Sequence, residues 1–284
     1  MKSLTKTKTK IRVGKIRYLN CVPFYHHLEE ILPSQIEFLE SVPVKINQAM
    51  RKGGLDIAPI SSLEYLNHRE DYFLMPQLAI GSRDFSSSVL LFSRERIDGL
   101  QGAKIAVSRE SLSSAALLKI LLRFKYKFDN EFFPMASDAA GMLARYPAAL
   151  LIGNDALFFR PEKFVYKYDL SELWWNWTEK PFCFATWAVR KDFAKRHPEE
   201  ASAFFEKLQA NLHRNLSNLE ALVEDALQMS FMHEQFPKVF GYLFNLSYGM
   251  DKGMQEGLEL FFRLAYRHGI SPKPGKIEFF NPGA

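Results

Sequence analysis

The eight residues "AALLIGND", Ala148–Asp155, decide the fold class. Every position from Ala148 to Ile152 is apolar, as in a strand covered on both faces, and such strands lie in the interior of parallel sheets. The glycine, asparagine and aspartate that follow favour turns and helix caps, so the strand ends at a corner that leads into a helix. This stretch therefore predicts an α/β protein.

The rest of the chain repeats this alternation of short apolar strands and amphipathic helices. The predicted strands are Ile11–Ile16, Gln35–Leu39, Leu55–Ile60, Val89–Ser93, Lys104–Val107, Ala148–Ile152 and Phe182–Val189. Residues that favour a cap or a first turn predict helix starts at Pro43, Ser61, Ser111, Ser171, Pro198 and Asp251. The spacing of Ser61 and Glu64 also predicts a capping box, in which each side chain binds a backbone N–H. A chain of 284 residues is long for one compact domain, so we expect two lobes.

Composition and charge exclude several classes of protein. The net charge is +5, and the dense basic run is the N-terminal "MKSLTKTKTK", so there is no basic stripe of the kind that binds nucleic acid. No apolar segment follows that run, and no stretch approaches the roughly 20 apolar residues that span a bilayer. We therefore expect a cytoplasmic protein with no membrane or nucleic-acid partner.

Cysteine and histidine placement predicts neither a disulfide framework nor a metal site. Cys21 and Cys183 are far apart and lack partners at metal-binding spacing. His26 and His27 are adjacent, and we expect them to point in different directions from a helix as partly exposed residues. Nucleotide, acyl-serine and zinc-protease motifs are also missing from the sequence. For Asp56 and Glu64, roles in a turn and a cap are favoured over acid or base catalysis.

Polar side chains follow several predicted strands at their carboxyl ends, the edge where open α/β sheets bind ligands. Hydroxyl and carboxamide groups at helix N-termini suit a carboxylate, although for any single corner capping alone is favoured over binding. The doubled serines exceed what a cap requires, so their coincidence predicts an anion-binding crevice. The corner residues are Tyr18, Asn20, Ser61, Ser62, Ser111, Ser113, Ser114, Gly153, Asn154 and Asp155, with Ser86, Ser87 and Ser88 leading into a further strand.

Six stretches, in order, resemble chorismate dehydratases of the futalosine route to menaquinone, from about Arg12 to Arg190. The stretches are "IRYLNCVPFYHHL", "GGLDIAPISSLEYL", "SSSVLLFSR", "SLSSAALLKILL", "AALLIGNDAL" and "YDLSELWWNWTEKPFCFATWAVR". This resemblance implies a periplasmic-binding-protein-like fold of type II, in which two α/β lobes enclose the ligand. We expect the chain to cross between lobes near Phe92–Arg96 and Ala185–Arg190, so that residues 1–93 and 190–284 form lobe one and residues 94–189 form lobe two.

The resemblance also implies loss of water from chorismate, without a metal or an organic cofactor. We expect Asn20 and Ser88 to be catalytic, Asn20 by orienting the leaving hydroxyl or the enolpyruvyl group and Ser88 by donating to a carboxylate. Because no strong base is evident, we expect the substrate's own enolpyruvyl carboxylate to remove the proton. The expected substrate-binding residues are Tyr18, Ser61, Ser62, Ser86, Ser111, Ser113, Ser114, Asn154 and Asp155.

The chain departs from relatives at three places. Leu112 stands where they commonly carry arginine, which leaves Arg83 or Arg109 as candidate carboxylate ligands, Asn154 replaces a frequent aspartate, and the loop 83–86 lacks the usual glycine. Two other functions remain open. One is a cytosolic, non-catalytic binding protein or sensor for a small anionic metabolite. The other is 1,4-dihydroxy-6-naphthoate synthase, whose usual "CPNDT"-like opening is missing from this sequence.

Overall fold

The computed structural model describes residues 10–161, 166–230 and 233–283, and these residues form two mixed sheets. The strands are β1 (Ile11–Ile16), β2 (Ile36–Ser41), β3 (Ile57–Ser61), β4 (Tyr72–Ser82), β5 (Val89–Ser93), β6 (Lys104–Ser108), β7 (Glu131–Met135), β8 (Ala148–Ile152), β9 (Tyr166–Asp169), β10 (Phe182–Arg190) and β11 (Leu246–Ser247). The first sheet has the order β11-β4-β10-β3-β1-β2, and the second has the order β7-β6-β8-β5-β9. Each sheet has a parallel core, β2-β1-β3 in the first and β7-β6-β8 in the second, flanked by antiparallel strands.

Helices connect and cover these strands, which confirms the predicted α/β class. They are α1 (Val22–Tyr25), α2 (Leu28–Ile31), α3 (Pro43–Arg51), α4 (Ser62–His68), α5 (Leu112–Ile120), α6 (Ala139–Arg145), α7 (Gly153–Phe158), α8 (Leu170–Thr178), α9 (Lys191–Arg196), α10 (Pro198–Ser217), α11 (Leu219–Ser230), α12 (Phe236–Asn245) and α13 (Lys252–Arg267). β5 and β8 are buried at every position, as expected of strands covered on both faces. In the described ranges, none of the helices has the length and apolar character needed to cross a bilayer.

The chain changes sheets at places other than those expected. It leaves the first sheet after Ser82 and enters the second at Val89, and it returns to the first at Phe182. β5 pairs with β8 from Val89↔Ile152 to Ser93↔Ala148, whereas β10 pairs with β3 and β4. These two strands therefore lie in the opposite sheets from those given by a division at residues 93 and 190, because backbone pairing sets sheet membership.

All seven predicted strands are present, with ends displaced by no more than two residues, but β4, β7, β9 and β11 were not predicted. Two of these strands contain a proline, Pro76 in β4 and Pro134 in β7. Proline lacks the N–H that a strand donates to its neighbour, so its presence argued against a strand at these positions. In β4 the register against β10 shifts between the partners Ala79 and Leu74, and Gln77 between them has a φ of 61°. The irregularity at Pro76 and Gln77 explains why this longest strand lacks a continuous pattern.

The predicted helix starts are largely confirmed by their caps. The hydroxyls of Ser61 and Ser111 accept hydrogen bonds from backbone N–H groups three residues later, at 3.2 and 3.1 Å. The second half of the capping box is wrong, because Glu64 binds Arg51 at 3.0 and 3.1 Å instead of turning back to Ser61. The helix predicted at Ser171 begins at Leu170.

Candidate functional site

A cavity lies where the carboxyl ends of parallel strands from both sheets meet. It encloses about 650 Å³ of space not filled by protein atoms, including its open mouth. Its apolar surface includes Ile80, Val89, Ile152 and Phe184. Six of the predicted site residues also line it, namely Tyr18, Asn20, Ser61, Ser88, Ser111 and Ser114. The sequence-predicted corners therefore converge on one space.

Asn20 is the cavity residue with an unsatisfied buried polar atom in the described part of the chain. It lies in the short 3₁₀ helix Leu19–Cys21 that follows β1, and it lines the cavity. The side-chain oxygen is buried and has no hydrogen-bond partner among the described residues. Leaving such a group unpaired costs about 1–3 kcal/mol, so buried amides almost always have partners. A polar guest in the cavity could bind this carboxamide, with a turn of the amide group bringing the oxygen to it.

Three serine hydroxyls at the cavity are held so that each retains a hydrogen to donate. Ser61 Oγ accepts from Asn47 Nδ2 at 3.1 Å as well as from the backbone in its cap. Ser88 Oγ accepts from the phenol of Tyr242 at 3.0 Å, and burial raises the pKa of Tyr242, which keeps this donor neutral. Ser111 Oγ also acts as an acceptor in its cap. A hydroxyl that already accepts still has its own O–H to donate, so these groups suit a carboxylate guest.

The other members of the serine pairs do not reach the cavity, and this corrects their expected placement. Ser62 is fully buried and donates to Cys183 O at 2.7 Å. Ser86 donates to Asp169 at 2.9 Å, and Ser113 Oγ accepts from Leu63 N at 3.0 Å. These hydroxyls satisfy buried polar groups behind the cavity wall and have no free path to a guest.

Asn154 and Asp155 also lie outside the cavity lining. Asn154 Oδ1 accepts from Leu19 N at 3.2 Å, so it ties the second sheet to the corner that carries Tyr18 and Asn20. Asp155 is exposed. Between them and β8, Gly153 lines the cavity with a φ of 58°, and a side chain there would approach the Tyr18 ring to 3.0 Å. The role of this corner is therefore to pack and orient Tyr18.

Glu110 is a cavity residue that sequence reasoning missed. It lines the cavity, and its carboxylate accepts a hydrogen bond from the Tyr18 phenol. Burial and this carboxylate raise the pKa of Tyr18, so the phenol stays protonated and remains a donor. The signal available in the sequence was its position directly before Ser111, in a corner already predicted to bind a ligand.

Neither candidate arginine lies at the cavity. Arg83 pairs with Asp251 at 2.5 Å, and Arg109 donates to Pro134 O at 3.0 Å. Within the described part of the chain, the lining includes no lysine or arginine. Positive potential comes instead from helix N-termini, since α5 begins just after Ser111 and its unpaired N–H groups favour an anion.

Comparison with known proteins gives the family. A protein-family model described as menaquinone biosynthesis matches residues 11–267. The chain belongs to this family. It is also 28% identical over 265 residues to the chorismate dehydratase of Thermus thermophilus, covering 88% of this chain and 93% of that protein.

Solved structures that are similar to this chain support the predicted fold. A protein of Archaeoglobus fulgidus has a TM-score of 0.74 at 17% identity, covering 92% of this chain and 98% of the other. The periplasmic aliphatic sulphonate binding protein of Escherichia coli has a TM-score of 0.65 at 14% identity, covering 97% and 94%. These similarities confirm a two-lobe, periplasmic-binding-protein-like fold.

Proposed function

We propose that this chain is a cytoplasmic chorismate dehydratase, a carbon–oxygen lyase that removes water from chorismate to give 3-[(1-carboxyvinyl)oxy]benzoate. The observation that carries the proposal is the carboxamide of Asn20, whose oxygen has no partner in the described part of the chain, in the same cavity as the donating hydroxyl of Ser88. Membership of the menaquinone family and the Thermus relative support the choice of chorismate among anionic guests.

The chemistry of the substrate limits what the protein has to supply. The ring carbon that bears the enolpyruvyl ether loses its proton, and the neighbouring ring carbon loses its hydroxyl. The electron pair of the broken C–H bond forms the new ring double bond, and the proton and hydroxide leave as water. The ring carboxylate acidifies that proton through the diene, and the product is aromatic. Positioning and electrostatic stabilisation are therefore sufficient catalytic devices.

Each lining group has a role that follows from its contacts. Asn20 orients the leaving hydroxyl or the enolpyruvyl group, because its amide can accept and donate at one point. Ser88 donates to a substrate carboxylate, with Tyr242 fixing its orientation. Ser61, Ser111 and Ser114 bind carboxylates at the helix N-termini of both lobes.

The proton is removed by the enolpyruvyl carboxylate of the substrate itself. Glu110 is the carboxylate that the described residues bring to the cavity lining, and it is bound to the Tyr18 phenol. A second negative charge there repels a dianionic guest, so Glu110 serves to position Tyr18 and does not act as the base. Substitution of Glu110 by glutamine distinguishes a role in positioning Tyr18 from a role as the base.

The direct test is turnover of chorismate by the purified chain. Absorbance of the aromatic product should rise, and mass spectrometry should find a product lighter than chorismate by one water. Asn20→Ala, assayed at the same concentration, is the matched control and should be nearly inactive. Chorismate that binds but is recovered unchanged would overturn the proposal and favour the alternative of a non-catalytic binding protein.

A further inference from the structure

Two histidines and an aspartate converge at the surface of the first lobe, apart from the cavity lining. His26 and His27 lie between α1 and α2, and Asp225 lies on α11. The Nε2 atoms of His26 and His27 are 3.5 and 3.9 Å from Asp225 Oδ2, and one ligand atom from each residue lies within 4.8 Å of the others. We propose that this cluster binds a divalent late first-row transition ion such as Zn²⁺.

The donor set is the one that such ions prefer. Imidazole nitrogen and carboxylate oxygen bind Zn²⁺ at about 2.0–2.2 Å, so the ligand atoms of a tetrahedral site lie roughly 3.3–3.5 Å apart. His26 Nε2 is already at this separation from Asp225 Oδ2, and His27 Nε2 comes to it with a movement of about half an ångström towards that oxygen, while the histidine ligand atoms lie within 4.8 Å of each other. Three protein ligands leave a fourth position for water.

The backbone explains how adjacent histidines reach one ion, contrary to the prediction from sequence. Neighbouring residues of a helix point about 100° apart, but His27 has a φ of 55° and the two ring centroids are only 3.9 Å apart. The carbonyl of His26 accepts from the amides of Asn211 and Asn215 at 3.0 and 2.9 Å, which fixes this turn against α10. The rings are therefore held on a rigid support.

A second carboxylate orients one of the ligands. His27 Nδ1 lies 2.6 Å from Glu30 Oε1, so the proton on that ring belongs at Nδ1 and the lone pair at Nε2 faces Asp225. Ligating histidines commonly donate their other ring nitrogen to a carboxylate in this way, and loss of that partner weakens binding by about 10–100-fold. The same atoms would also form an ion pair if both rings were protonated, and the test separates these interpretations.

The bound ion would join two segments that are far apart in sequence. The turn at His26 follows closely on the corner that carries Asn20, whereas α11 belongs to the C-terminal part of the first lobe. An ion that binds only the folded chain stabilises it by mass action, and a hundredfold excess over Kd raises Tm by about 4–6 °C for a chain of this size.

Metal binding is tested on the full chain after treatment with EDTA and dialysis. Titration with Zn²⁺ alone should give one ion per chain by calorimetry and native mass spectrometry, with the stated rise in Tm. Co²⁺ alone should give the visible absorption bands of a four-coordinate ion. No stoichiometric binding by the parent chain would overturn the proposal and leave the cluster as an ion-pair network.

Variants localise the ion to this cluster. His27→Asn keeps a residue that tolerates positive φ, and Asp225→Asn keeps the shape of the side chain. Each should weaken Zn²⁺ binding at least about 100-fold, and Glu30→Gln should weaken it about 10–100-fold. His213→Ala, at an exposed position of α10 beside Gln77 and Leu243 and outside the three-residue cluster, should bind Zn²⁺ like the parent. Thermal unfolding in EDTA checks that all variants fold, and equal Zn²⁺ affinity across the set would contradict the assignment.

Discussion

On the cavity wall and in the layer of side chains directly behind it, two pairs of neighbouring serines bond in opposite ways. On the wall, Ser61 and Ser88 accept from protein donors and retain an O–H for a guest. Behind the wall, Ser62 and Ser86 donate to a buried carbonyl and a buried carboxylate. The wall is thus built for binding and the layer behind it for stability, although the residues are one or two positions apart in sequence.

The largest effect should come from Asn20→Ala. The Asn20 side chain lines the cavity, and its oxygen makes no stabilising hydrogen bond with the described residues. We expect kcat with chorismate to fall about 10²–10³-fold, as for other groups that orient or stabilise a reacting centre. Tm should stay the same or rise, because the change removes a buried oxygen that has no partner among the described residues. Steady-state kinetics and thermal unfolding measure the two quantities. Normal turnover would remove Asn20 from the mechanism.

Ser88→Ala and Ser86→Ala should differ in activity although both lose a buried hydrogen bond. Ser88→Ala should lower kcat/KM about 100-fold and lower the free energy of unfolding by about 1–3 kcal/mol, because the buried phenol of Tyr242 loses its acceptor. Ser86→Ala should keep kcat within about threefold but lower the free energy of unfolding by about 2 kcal/mol, because it removes a hydrogen bond to buried Asp169. An equal loss of activity in both folded variants would contradict the assignment of Ser88 to substrate binding and of Ser86 to stability.

Ser61→Ala and Ser62→Ala should repeat this contrast with smaller effects. Ser61 has a dual role as cavity residue and N-cap, so its loss should raise KM about tenfold and lower the free energy of unfolding by about 1 kcal/mol. Ser62→Ala leaves the carbonyl of Cys183 without its hydroxyl donor and should cost about 1–3 kcal/mol at unchanged KM. Urea unfolding and chorismate titration test both, and a raised KM in Ser62→Ala alone would reverse the assignment.

The smallest effect should come from Glu110→Gln. If the substrate carboxylate is the base, kcat should stay within about threefold, and KM should fall because a negative charge next to a dianion has been removed. Tyr18→Phe, which removes the phenol that holds this carboxylate, is the matched variant. A loss of kcat above about 100-fold in Glu110→Gln with Tyr18→Phe still active would make Glu110 the base.

Periodicity and corner chemistry in the sequence were sufficient to predict the α/β class and the convergence of Tyr18, Asn20 and Ser88. They could not predict that Ser61 and Ser114 line the cavity while Ser62 and Ser113 do not. Which of two adjacent serines faces the cavity depends on how each helix is oriented in the folded protein, and the local sequence does not determine this. Glu110 was missed because its position directly before the predicted cap Ser111 was a weak signal, and its contact with Tyr18 depends on how the two sheets face each other.

Other errors have local causes. Divergence of His26 and His27 was predicted because a helix was assumed, and a single left-handed residue reverses that expectation. Pro76 interrupts the pattern of β4, so the longest strand was not predicted. The expected lobe boundaries rested on resemblance, whereas pairing of β5 with β8 depends on contacts between residues about sixty positions apart.

Ser88 lies at the end of one of the two connections between the sheets, and its carbonyl accepts from Gly153 N at 2.8 Å. Any rotation of one lobe about these connections is absorbed by the backbone torsions of residues 83–88 and 179–181. Ser88 is bound to the second sheet through its carbonyl and to Tyr242 of α12 through its hydroxyl, so a rotation between the lobes would strain one of these two hydrogen bonds.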